Sequence, residues 1–102
     1  MPSDQQPAGA SLLKELMESF QLPLPEKISE LEEQIALIEK AQQQCANEIK
    51  ELMAKEDIAK GIVFPQQIHE LHQTKNMLET HKQYRRVRIS RLKMQGMPWQ
   101  RF

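Results

Sequence analysis

The densest charge in the chain is a run of six cations, Lys82, Arg85, Arg86, Arg88, Arg91 and Lys93. They fall within about three turns of a helix. Arg85, Arg88 and Arg91 recur at intervals of three and read as one slowly turning ridge. Cations at this density can hold a phosphate backbone. They can also neutralise acidic side chains on a neighbouring helix, although each exposed pair contributes only about 0–1 kcal/mol. Nucleic-acid binding and ion pairing with acidic protein surfaces are therefore the two chemistries open to this patch.

A second constellation is apolar. Met77, Tyr84, Val87 and Met94 follow one another at spacings of seven, three and seven. They lie largely off the face defined by Leu71, Leu78, Ile89 and Leu92. A pair of helices covers one stripe on each, so this second stripe calls for another partner. Trp99 and Phe102, with Arg101 between them, follow in a short C-terminal segment. Aromatic residues beside arginine are frequent interface anchors. Met77, Tyr84, Val87, Met94, Trp99 and Phe102 are accordingly the candidate partner-binding residues.

Residues with catalytic or metal-binding chemistry are sparse. His69 and His72 lie three apart around Glu70, which is not the His-Glu-x-x-His spacing of a metalloprotease. Cys45 is expected near His81 if the chain folds as a hairpin, but a zinc site needs two further ligands. The three glycines are isolated, so there is no phosphate-cradling loop, and no serine sits in a nucleophile elbow. No catalytic, cofactor-binding or metal residue is assigned, and the chain is not expected to be an enzyme.

The elements that position these residues follow from the helix breakers. Between Pro25 and Pro98 the only strong break is Gly61-Ile62-Val63-Phe64-Pro65. Glycine tolerates the positive φ found at helix ends, and proline suits a first helical turn. Residues 11–20 form an amphipathic pattern with Leu12, Leu13, Leu16, Met17 and Phe20 on one face and Ser11 as a candidate N-cap. Pro23 and Pro25 impose an extended elbow after it. Residues 25–60 carry heptads with Ile28, Ile35, Gln42 and Ile49 at a, and Leu31, Ile38, Cys45 and Leu52 at d. Residues 65–95 repeat the alternation less cleanly, because Lys75, Lys82 and Arg85 interrupt it.

The predicted architecture is all-α: a long antiparallel, coiled-coil-like helical hairpin with a short N-terminal helix. Residues 1–10 are expected to be a disordered leader, residues 11–96 the helical domain with Gly96 as the last cap, and residues 97–102 a C-terminal tail. Charge supports the hairpin. Residues 1–60 carry twelve acidic and six basic side chains, and residues 82–102 carry seven basic and no acidic ones. Folding at the break brings residues whose numbers sum to about 125 side by side, setting acidic 26–39 next to basic 85–93. Charged residues at 27% and hydrophobic at 39% suit long helices, and no apolar run nears the ~20 residues needed to span a membrane. One cysteine and no secretory-type N-terminus point to a soluble intracellular protein of nucleus or cytoplasm.

The order of segments resembles the helical A-domain of GINS replication-complex subunits. The matching features are a short helix, Gln21-Leu22-Pro23, a long acidic helix, Ile62-Val63-Phe64, and a basic helix holding Tyr84-Arg85-Arg86-Val87-Arg88-Ile89-Ser90-Arg91-Leu92-Lys93 followed by Gly96. They cover most of residues 11–96. Met94 stands where that family would have Trp, and the chain lacks the family's further helices and small β-domain. The resemblance implies a nuclear scaffold that binds sister subunits and replisome proteins without catalysis. The functional expectation is a protein–protein interaction subunit or adaptor of a hetero-complex. The alternatives are a nucleic-acid-binding module and a coiled coil that self-associates as a homodimer.

Overall fold

The computed structural model describes residues 8–95. Three helices follow in order: α1 (Ala8–Ser19), α2 (Ile28–Lys55) and α3 (Pro65–Met94). α2 and α3 form the antiparallel hairpin, and α1 folds back along it. The all-α hairpin expected from the sequence is the observed fold. α1 begins earlier than Ser11, so Ser11 lies within the helix and residues 8–10 form its first turn. α2 is shorter than residues 25–60 at both ends. Gly96 and residues 97–102 lie outside the described residues.

The elements end for local reasons. Ser19 Oγ donates to the Leu16 carbonyl at 2.6 Å, and the amides of Phe20, Gln21 and Leu22 turn back onto the last turn of α1. The elbow at Pro23 and Pro25 then delivers the chain to Ile28. At the other end α2 stops at Lys55, and Asp57 organises the hairpin tip. Its N–H donates to the Ile62 carbonyl at 2.8 Å, and the Ile62 N–H donates back to the Asp57 carbonyl at 2.9 Å. Its carboxylate accepts from the Lys60 amide at 3.3 Å, closing a short 3-10 turn over Ile58–Lys60. Gly61 follows with φ +73°. The Phe64 amide donates to Glu56 Oε2 at 3.1 Å, and Pro65 starts α3 at a position where its missing N–H costs nothing.

Pairs across the seam, such as Gln34–Arg85, Gln42–Glu79 and Glu39–Arg86, have numbers that sum to 119–125, close to the expected register. Cys45 lies within reach of the Lys75 charge, and His81 stacks on Phe20.

The core follows the heptads of α2. Leu31, Ile38 and Cys45 at d and Ile49 at a are buried. Ala41 is buried beside them because α1 crosses there, where a small side chain lets the backbones approach. Leu16 of α1 joins Ile38, Ala41, Cys45 and Leu78 in one cluster, flanked by Leu12, Leu13, Phe20, Leu71 and Met77. The heptad face of α2 is thus filled from within the chain. Leu31, Ile38 and Leu78 are fully buried, and truncating any of them to Ala is expected to cost about 2–5 kcal/mol.

Gly61→Ala gives a sharper test of the tip. An added Cβ would meet no atom within 4 Å, so any cost comes from the left-handed backbone alone. Urea unfolding is expected to show a loss of about 1–2 kcal/mol, and Gly61→Asn a smaller one.

Candidate interaction face

The seam of α3 is not apolar. Its buried residues are Leu78, Lys82 and Arg85, at spacings of four and three, so the buried stripe runs directly into two cations. Arg85 is 1% exposed. Its Nε donates to Gln34 Oε1 of α2 at 2.7 Å, and its Nη1 donates to the His81 carbonyl at 2.9 Å. The guanidinium carbon lies 5.1 Å from the centre of the Phe20 ring. The His81 ring stacks on Phe20 at 3.8 Å with an interplanar angle of 4°. Phe20 is thereby held by two side chains spaced one turn apart on α3, which pins the end of α1 to the hairpin.

Lys82 fills the neighbouring position. Its ammonium donates to Gln42 Oε1 at 3.1 Å, and lies 3.2 Å from Glu79 and 3.9 Å from Glu39. Gln42 Nε2 donates to Glu79 Oε1 at 3.1 Å. Gln42, which breaks the apolar heptad in sequence, is therefore a rung across the seam. Hydrogen bonds from Gln83, Gln42 and Lys82 pull the Glu79 carboxyl down to about 2. Glu79 is partly open to water, so this charge network contributes little to stability.

The six-cation cluster is accordingly divided. Lys82 and Arg85 are in the seam, and Arg86 lies 3.8 Å from Glu39. Arg88, Arg91 and Lys93 have no ion pair among the described residues, and Arg91 and Lys93 are exposed. The expected charge match between helices is reduced to Glu39, because Glu30, Glu32 and Glu33 face solvent.

The apolar candidates divide as well. Met77 is half-buried and packs against the cluster of Leu16, Ile38, Ala41, Cys45 and Leu78. Met94 is half-buried. Tyr84 and Val87 are 54% and 49% exposed. Together with Leu24 of the elbow, Arg88 and Arg91, they line an open groove of about 390 Å³. Trp99 and Phe102 lie outside the described residues. The sequence did not single out Leu24, whose place in the groove depends on the elbow folding back. A second exposed apolar set, Met53, Ile58, Ile62 and Val63, sits at and beside the tip, with Ile58 86% exposed.

His69 and His72 are exposed, and among the described residues no three His, Cys, Asp or Glu side chains cluster in a way that could hold a metal ion. Burial and the nearby Glu48 raise the Cys45 thiol pKa, against a smaller opposing effect of Lys75. Among the described residues no helix is long and apolar enough to cross a membrane.

His81 makes the α1 anchor sensitive to pH. Burial, and then the charge of Arg85, lower its pKa below the ordinary 6.5. Below pH 6.5 the unfolded chain binds a proton that the folded chain does not. Stability is therefore complete above that pH and declines as the pH falls through it. Urea midpoints measured from about pH 7.5 to about pH 5 are expected to fall, and His81→Phe, which keeps the stack, is expected to flatten the decline. Glu79 titrates below its ordinary 4.5, outside this window, and does not account for the decline. An unchanged slope in His81→Phe would contradict the assignment.

No family model, curated protein or solved structure matches the chain, and the resemblance to the GINS A-domain rests on the residues quoted for it alone.

Proposed function

We propose that the chain is a non-enzymatic interaction subunit that binds another protein through the outward face of α3 near the base of the hairpin. The observation that carries this reading is the exposure of Tyr84 and Val87 on a helix whose inward face is fully engaged. Single exposed apolar residues need no explanation, but an aromatic and a β-branched residue beside a groove and unpaired arginines form an interface-like composition. The GINS resemblance is compatible with this role and would place it in a nuclear replication scaffold.

A nucleic-acid-binding module is the second reading, favoured by Arg88, Arg91 and Lys93 having no ion pair among the described residues. Burial of Lys82 and Arg85 in the seam leaves it four cations instead of six. Anisotropy of a labelled DNA duplex at low salt decides it, since phosphate contacts are strongest there. Absence of binding removes the nucleic-acid reading.

Affinity capture with the full chain and with Tyr84→Ala and Val87→Asp variants tests the first reading. Both substitutions are at exposed positions, where effects on folding are expected to stay within about 0.5 kcal/mol. At least one partner is expected to be lost from both variants while their helical circular dichroism is unchanged. Identical partner sets from all three proteins would rule the α3 face out as the binding surface.

A further inference from the structure

Resting on the interaction reading above, we infer that the groove between the elbow and the basic end of α3 receives a short acidic segment of another protein. One apolar side chain of that segment sits on Leu24, Tyr84 and Val87, and its carboxylates meet Arg88 and Arg91.

The groove combines two chemistries. Its floor is aliphatic and aromatic, and its rim carries two guanidinium groups. Arg88 Nε is buried and has no hydrogen-bond partner among the described residues. The buried Nε is closed to an incoming group, so a partner meets this guanidinium at its Nη atoms, and a carboxylate is the acceptor that matches a guanidinium in both charge and shape. No carboxylate among the described residues forms an ion pair with Arg88 or Arg91, and Glu39 of α2 is engaged by Lys82 and Arg86. The two guanidinium groups on the rim favour an anionic partner in both approach and orientation.

The size of the groove sets the length of the segment. About 390 Å³ takes one or two side chains, not the whole face of a helix. Two parts of the wall are braced before binding. His81 meets the Tyr84 ring edge-on at 5.6 Å while stacking on Phe20, and Pro23 and Pro25 flank Leu24. A site already ordered loses little conformational freedom on binding, so a short peptide can bind measurably. A phosphate backbone would use the arginines but leave the apolar floor empty, so a peptide fits the groove better than a nucleic acid does.

A random dodecapeptide library displayed on phage and selected against the full chain tests the assignment. Enriched peptides are expected to carry at least two Asp or Glu residues near a Leu, Phe or Trp. Synthetic versions are expected to bind the Arg88→Gln/Arg91→Gln protein and the Val87→Ser protein at least about tenfold more weakly. Circular dichroism and urea midpoints of these variants verify that they fold. Peptides without carboxylates, acidic peptides insensitive to both variants, or no enrichment would each overturn the proposal. So would displacement of the selected peptides by a DNA duplex at physiological salt, which would assign the groove to nucleic acid. Apolar peptides lost only in Val87→Ser would overturn the acidic partner and keep α3 as an interaction face. Unchanged protein capture by Val87→Asp would instead remove the interaction reading itself.

Discussion

The fold depends on burying one guanidinium without a carboxylate. Arg85 cannot give up its charge, although burial pushes its pKa down, so its donors must find acceptors inside the protein. Gln34 of α2 and the His81 carbonyl of α3 supply them, and the Phe20 ring after α1 covers the planar face. All three helical segments thus meet at one side chain. A shift of α2 against α3 by a single turn would separate Arg85 from Gln34 and Lys82 from Gln42 together. An apolar Leu seam tolerates such a shift much better, because hydrophobic contact is not directional. The polar seam gives up some packing stability and in return defines the register.

This constraint explains which parts of the fold were legible in the sequence. The two long helices were readable from the Gly61–Pro65 break and from the heptads of Ile28 to Leu52, because those residues obey a single spacing rule. The docking of α1 was half legible: Leu12, Leu16 and Phe20 marked its inner face, but only Ala41 hints at where that face lands. The seam of α3 was only partly legible: the alternation set Lys75, Lys82 and Arg85 at its intervening positions without showing that Lys82 and Arg85 are buried. Apolar periodicity cannot identify a buried stripe that includes Lys82 and Arg85, since those residue types almost always mark the surface. The first turns of α2 were misleading for the opposite reason. Their glutamates looked like partners for the basic helix, but they project to solvent, and Gln34 takes the seam position.

The division of the basic cluster follows from helix geometry. Residues three apart on an α-helix are displaced by about 60° around the axis. Arg85, Arg88 and Arg91 therefore progress from buried to half-buried to exposed. One run of sequence supplies both the lock inside the hairpin and the charge beside the open groove. The candidate site was correspondingly half legible: Tyr84, Val87, Arg88 and Arg91 were visible as types and spacings, but the groove also needs Leu24. That residue lies four positions after Phe20, which contacts both His81 and Arg85 of α3. The lock and the candidate surface are therefore adjacent parts of one arrangement.

The most direct measurement of this account is a double-mutant cycle between Gln34 and Arg85, built from Gln34→Ala, Arg85→Met and the double variant by urea unfolding. Methionine keeps most of the side-chain volume, so the cycle isolates the polar contact. A coupling energy of about 1–2 kcal/mol is expected for a buried hydrogen bond to a charged group. Additivity of the two substitutions to within about 0.5 kcal/mol would contradict the claim that this contact locks the hairpin.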